Sequence, residues 1–427
     1  MHRLYTVLFA CSILLINPWG GSRGEIWTVP KVAVVLLIAI FNGVVVWEAR
    51  QTLRVPRVWW WALGLWVLFL GMGLLSVLIS PFPDRAFWGQ AEMGDGWPYW
   101  LLMAGFSLSN TLLLRVQPTL FQAQVRGLCI GGALLALSAI PQCFDWTLDY
   151  TTTSGQKLKA NVLVSTVFDN HQPIGLYSHR GHSSLVLAVV GTLALLSGRW
   201  GWLRRWQAGG LLALAALGLG LMQTRASVLA LGLAMMYLLR QRYRRWLLPL
   251  LLVSVLVIGL LSTTRQVADF SGWKRLSSDR VYLWQMSQRG IEERPWLGWG
   301  FDGFGIAYPH IWQQKLWRQA GREPPSVLTL APFSFVDRNE QGQLQTIVLP
   351  GNKSHNLLLD WLLSVGVLGS LIYGLLVGVS FWQMLQFSGR GLEAVVLVYG
   401  VFGLLWFDCA QYSHLLWWTL SCWPERT

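Results

Sequence analysis

Lys353, Ser354, His355 and Asn356 stand together where a polar segment enters a long apolar run. Histidine is the side chain that ionises closest to neutrality, so a ring at such a border can take or give a proton. Lys353 and the positive end of the following helix are both expected to lower the pKa of His355 and keep its ring neutral. A neutral imidazole there suits a general base acting on a hydroxyl. A histidine that only bonds its own capping loop is the plainer reading of the same placement.

Two other clusters sit at similar borders: Ser178-His179-Arg180-Gly181-His182 and Gln223-Thr224-Arg225-Ala226-Ser227. Helices that start there present free N–H groups and a partial positive charge. If the starts converge, they make a site for a compact anion such as phosphate or pyrophosphate. Arg225 occupies a very short turn with no acid near it in sequence, which is costly unless it snorkels or meets a partner. Arg280 opens an amphipathic helix expected over 279–294, with Val281, Leu283, Trp284 and Ile291 to bury. His171, His179, His182 and His310 share this face without metal-ligand spacing, and the scattered Cys11, Cys129, Cys143, Cys409 and Cys422 form no CxxC pair. Neither a metal nor another cofactor is therefore expected. The glycine-rich 296–305 follows no strand of a dinucleotide fold and reads as a tight turn with aromatic packing.

These residues need a frame. The 427-residue chain is 54% hydrophobic and 12% charged, where soluble domains carry about 25% charge. Apolar runs at 4–20, 26–47, 58–80, 97–115, 121–141, 182–198, 208–223, 225–240, 246–262, 355–382, 392–409 and 411–423 predict an all-α polytopic membrane protein with about twelve spans. No helix broken at mid-membrane and no chain of coupling carboxylates is visible; Asp360 and Asp408 are the acids well inside apolar runs. Trp59-Trp60-Trp61 and Trp417-Trp418 read as interfacial anchors. Arginines collect in alternate connections (Arg50, Arg54 and Arg57; Arg115 and Arg126; Arg199, Arg204 and Arg205; Arg240 to Arg245; Arg390), while Asp84, Glu92, Asp95, Asp145, Asp149 and Asp169 fall in the others. The positive-inside rule then puts the N-terminus in the cytoplasm and the three polar clusters outside. The net charge of +13 follows this alternation, which argues against a nucleic-acid partner. Three regions result: spans over 1–262, a large extracytoplasmic loop over 263–354, and C-terminal spans over 355–427. Within the loop, 334–338 and 343–348 flank Asn339-Glu340-Gln341-Gly342 and read as a β-hairpin.

The ordered set Gln223-Thr-Arg-Ala-Ser-Val-Leu-Ala, Arg280-Val-Tyr-Leu-Trp, Glu293-Arg-Pro-Trp-Leu-Gly-Trp-Gly, Ser354-His-Asn-Leu-Leu-Leu-Asp and Gly366-Val-Leu-Gly resembles the bacterial O-antigen ligase superfamily over roughly 175–375. That superfamily includes O-antigen ligases, Wzy-type polymerases and protein O-oligosaccharyltransferases. The resemblance implies a glycosyltransferase of the inner membrane that moves a glycan from an undecaprenyl-diphosphate carrier to an acceptor hydroxyl at the periplasmic face. It implies His355 as the essential histidine and Arg225 and Arg280 as diphosphate-binding arginines, with Arg180 a weaker match. His179, His182, Lys353 and Asn356 are expected to help bind substrate. The hairpin looks like an insertion of this lineage, and the acceptor stays open among a lipid-linked glycan, a growing polymer and a protein. A glycan polymerase and a transporter of a small anion such as bicarbonate are the alternatives.

Overall fold

The computed structural model describes residues 1–144, 173–239, 280–319, 329–331, 333–339, 341–349, 351, 353–386 and 391–423. The run at 246–262, the segment 145–172 with His171, and 263–279 lie outside them, as do Arg240 to Arg245 and Arg390.

The described chain is mostly helical. After α1 (His2–Leu14), one π-type turn (Gly24–Thr28) leads into α2 (Val29–Glu48). Then come α3 (Arg57–Leu78), α4 (Pro83–Trp88), α5 (Trp97–Val116) and α6 (Leu120–Gln142). Proline in the first turn of α2, α4 and α5 fits because its missing N–H would be unpaired there anyway. They are followed by α7 (Arg180–Arg199), α8 (Arg205–Met222) and α9 (Arg225–Leu239). Next come α10 (Arg280–Glu293), α11 (Gly303–Gln319), β1 (Thr329–Leu330), β2 (Ser334–Arg338) and β3 (Leu344–Val348). The chain closes with α12 (Leu357–Leu385), α13 (Glu393–Gly403) and α14 (His414–Leu420).

Five helices among the described residues are long and apolar enough to cross a membrane: Gly24–Glu48, Arg57–Leu78, Leu120–Gln142, Arg180–Arg199 and Leu357–Leu385. This is a membrane protein, and the described residues account for five of the expected spans by length and composition. The last two expected spans differ most. At 1.5 Å per residue α13 rises about 16 Å, half of a hydrocarbon core. It ends at Gly403, and the non-helical stretch to Ser413 is largely buried before α14 begins. Trp417 and Trp418 are likewise core residues, 1% and 0% exposed, rather than interfacial anchors. They join an aromatic core in which Trp361 stacks on Tyr373 at 4.2 Å, Trp100 meets Trp361 at 4.8 Å and Trp66 meets Trp417 at 4.5 Å. Trp60 and Trp61 remain exposed at the start of α3.

The apolar run expected at 355–382 forms one helix that is broken near its start. Gly366 has φ 66° and ψ −172°, which breaks α12. The freed backbone is paired by the glycine-rich segment: Trp299 N–H donates to Leu363 O (2.7 Å), Gly300 N–H to Ser364 O (2.9 Å), and Val367 N–H to Pro295 O (2.8 Å). Ser76 near the end of α3 adds a bond to Ser364 O at 2.8 Å. A Cβ on Gly366 would collide with the Trp296 carbonyl, so the close approach needs glycine. Beyond the break, the helix to Leu385 still rises about 28 Å, enough to span. The break therefore lies near a membrane boundary rather than at the midplane.

Between α9 and α12, α10 follows the expected 279–294 helix. Val281, Leu283 and Trp284 are buried and Ile291 is partly so. The hairpin also forms, with Ser334 opposite Val348 and Arg338 opposite Leu344, and β1 adds a third antiparallel strand. Asn339 organises the turn by accepting from the N–H groups of Gln341 (3.0 Å) and Gln343 (2.8 Å).

Candidate functional site

Two of the three polar clusters expected from the sequence, at 178–182 and 353–356, meet around Trp406 and Phe407, which stack at 5.4 Å in the segment after α13. His355 sets its ring edge-on to both, at 4.8 Å and 5.0 Å. His179 lies 5.2 Å from Trp406, and His182 lies 5.8 Å from Phe407. The Arg280 guanidinium covers the other part of this aromatic wall, 5.0 Å from the Trp406 ring, and donates to the Leu405 carbonyl. Ser184 in α7 and Ser227 in α9 share a hydrogen bond of 2.7 Å, which places the start of α9, with exposed Arg225, beside the start of α7. The structure thus brings His179, His182, His355 and Arg280 onto one wall. Arg180 is adjacent and Arg225 lies at a neighbouring helix start. His310 is elsewhere, against Trp299 at 5.4 Å.

Gln411 locks the wall in place. Its side-chain carbonyl accepts from Ser178 N–H (3.2 Å), and its amide donates to Ser178 Oγ (2.8 Å) and Thr28 Oγ1 (3.0 Å). His179 caps α7: its Nδ1 accepts from Gly181 N–H at 2.9 Å. A ring nitrogen that accepts cannot carry a proton, so this cap requires the neutral ring.

Two residues expected to bind substrate are taken up by the protein itself. Lys353 is 3% exposed. Its ammonium lies 2.5 Å from Asp95 Oδ2 and 3.2 Å from Asp302 Oδ1, and Arg85 bonds Asp302 Oδ2 at 2.6 Å. Burial alone would lower the Lys353 pKa, but the two carboxylates more than reverse this and raise it. Asn356 caps α12, accepting from Leu358 N–H (3.1 Å) and Leu359 N–H (3.2 Å). Asp360 fixes the turn from the other side by accepting from Ser354 N–H at 2.9 Å. Between these anchors His355 is held at φ 55°, a left-handed conformation uncommon for a side chain of this size.

The electrostatics differ from the expectation in cause. His355 is pushed well below the usual histidine range by burial first, then by Arg280 and His179. Lys353 spends its charge on Asp95 and Asp302 instead. His179 is pushed down to about 3 by burial, then by Arg23, Arg180 and Arg280. His355 Nδ1 is buried without a hydrogen-bond partner among the described residues.

Residues 210–374 match the family model described as O-antigen ligase. That segment is similar to an O-antigen ligase domain. The match runs from α8 into α12, so it contains Arg225, Arg280 and His355 and the paired segments 295–300 and 363–367. His179, Arg180, His182, Trp406 and Phe407 lie outside it, so the candidate site draws on the matched segment and its flanks. No curated protein matches the chain.

Sequence reasoning missed Trp406, Phe407, Gln411, Arg23 and the cluster of Arg85, Asp95, Asp302 and Lys353. Trp406 and Phe407 end an apolar run, where aromatic residues look lipid-facing. Asp302 was hidden in a glycine-rich turn, although a lone acid with φ 64° among glycines marks a built corner. The pairings Arg85–Asp302, Lys353–Asp95 and Ser178–Gln411 join residues more than 200 positions apart, those of Arg23 with Glu92 and Ser178 span 69 and 155 positions, and nothing local announces them.

Proposed function

We propose that this membrane protein transfers a glycan from an undecaprenyl-diphosphate carrier to an acceptor hydroxyl at the periplasmic face, with inversion. The observation that supports this best is the shared wall of Trp406 and Phe407, which gathers His355, His179, His182 and Arg280. Arg280, Arg180 and Arg225 offset the negative charge that builds on the leaving diphosphate as the glycosyl bond breaks. His355 removes the acceptor proton as the hydroxyl attacks opposite the diphosphate. Its depressed pKa keeps the free ring unprotonated at neutral pH, at the expense of basicity. A bound diphosphate counters the guanidiniums and raises that basicity when the acceptor is in place. The donor thus tunes its own base. The carrier's lipid tail lies among the spans.

The test is a strain lacking the gene, complemented with wild type or His355→Ala at matched protein level. Extracellular, lipid-linked and protein-linked glycans are profiled. One glycoconjugate is expected to vanish on deletion, return with wild type and stay absent with His355→Ala. Normal transfer by the well-folded variant removes His355 from the reaction, and an unchanged glycan profile in the deletion strain overturns the reading.

A further inference from the structure

Arg23 lies in the connection between α1 and α2, far outside the matched domain, yet it reaches the wall. Its guanidinium donates to the carbonyl of Ser178, the residue just before His179 and Arg180. Its Nε is 3.2 Å from Glu92 Oε1, and the two side chains are 14% and 5% exposed. The contact is single-point rather than the two-bond fork that arginine and carboxylate prefer. Glu92 Oε2 is buried with no hydrogen bond of good geometry, although Ser178 lies beside it. Burial raises the Glu92 pKa and the nearby Arg23 opposes this. Among the described residues Arg180 makes no ion pair. Around His179 the site therefore gathers the cations of Arg23, Arg180 and Arg280, against which the carboxylate of Glu92 is paired with Arg23 among the described residues. A half-buried excess of positive charge with one loosely held acid is poorly compensated as it stands, and a dianion would complete it.

We propose that Arg23 is a further diphosphate-binding residue of this site, and that Glu92 is a stand-in anion which gives Arg23 up when a diphosphate arrives. This rests on the glycan-transfer reading for its ligand and not for its geometry. The carbonyl of Ser178 keeps Arg23 aimed at the start of α7 during the exchange. The N-terminal connection thereby supplies part of a site whose other arginines come from α7 and from the matched segment.

The test uses the full-length protein in lipid nanodiscs and inorganic pyrophosphate as the probe, with binding read by calorimetry. Arg23→Gln is expected to weaken binding about tenfold, the scale of one lost charge-assisted contact. Glu92→Gln is expected to tighten it by about threefold or more, because it removes the competing anion. Arg50→Gln, at the exposed end of α2, is expected to change nothing and controls for overall charge. If Arg23→Gln fails to fold, Arg23→Lys decides, since it keeps the charge and loses the fork; it is expected to bind more weakly than wild type. Wild-type affinity in the folded Arg23 variant, weaker binding in Glu92→Gln, or no pyrophosphate binding by wild type each overturns the proposal. The same preparations are assayed for glycan transfer. Arg23-dependent pyrophosphate binding without any transfer activity leaves the anion site standing and removes the transfer reading. Transfer that is indifferent to Arg23 does the reverse.

Discussion

Removing the Lys353 ammonium should destabilise the protein through Asp95 more than through Asp302. The ammonium sits 2.5 Å from one carboxylate and 3.2 Å from the other. At an effective dielectric of about 20, each contact is worth roughly 5–7 kcal/mol before the cost of burying the ions is subtracted. Deleting one partner of such a pair typically costs about 3–5 kcal/mol, because the other charge stays buried and unmatched. Asp302 keeps Arg85 at 2.6 Å, whereas Asp95 keeps no cation among the described residues. Lys353→Met should therefore lose about 3–5 kcal/mol, and Lys353→Met with Asp95→Asn should recover at least about 2 kcal/mol of it. Reversible unfolding in mixed detergent, run as a double-mutant cycle on both variants and Asp95→Asn alone, measures the coupling. A cost under about 1 kcal/mol for Lys353→Met, or purely additive effects, would refute the argument that this lysine is spent inside the protein. It would return Lys353 to the pool of residues free to meet a substrate.

Three further outcomes follow from the geometry. Gly366→Ala should cost at least about 2 kcal/mol from its left-handed φ and the Trp296 carbonyl, while Gly374→Ala, with open space around it, should be neutral; detergent unfolding of the two variants separates them. Trp406→Phe should fold yet lose about tenfold in transfer rate, since His355, His179 and Arg280 share that indole; full activity would show the wall to be passive. Acid should destabilise the fold through His179, whose folded pKa of about 3 lies below the unfolded value near 6.5. Stability is thus complete above pH 6.5 and is lost as pH falls towards 3, by at most about 2 kcal/mol between pH 6.5 and 5, and by less to the extent that the ring is part-exposed. Melting curves across that range should flatten in His179→Asn, which caps without titrating, and an unchanged slope would count against the assignment.

The membrane class, the amphipathic helix after Asp279 and the hairpin at 334–348 were legible because each has a local signature: a long apolar run, a periodic face, two alternating strands about a turn. The polar helix starts at Arg180, Arg225 and His355 were legible for the same reason. What sequence could not give was the wall that joins those at Arg180 and His355, because Trp406 and Phe407 look like the end of a span. The role of Lys353 was misjudged for a related reason. A lysine beside a histidine reads as a pair, and only the fold shows that Asp95 and Asp302 hold the lysine instead. The break at Gly366 escaped notice because glycine is common in apolar helices. Its partner segment lies some 70 positions earlier.

That break carries a consequence for swapping parts between relatives. The carbonyls of Leu363 and Ser364 and the N–H of Val367 are paired by Trp299, Gly300 and Pro295, not by their own helix. Near lipid each such group left bare costs several kcal/mol. A chimera that grafts a foreign loop onto this span would strand the Leu363 carbonyl and the Val367 N–H, leaving Ser364 O to Ser76 alone, and one that grafts the span alone would strand their partners. The loop and the first half of α12 form one unit of inheritance. Shuffling experiments meant to move acceptor preference from one protein to another should cut after Leu368, not at the apparent membrane border before Leu357.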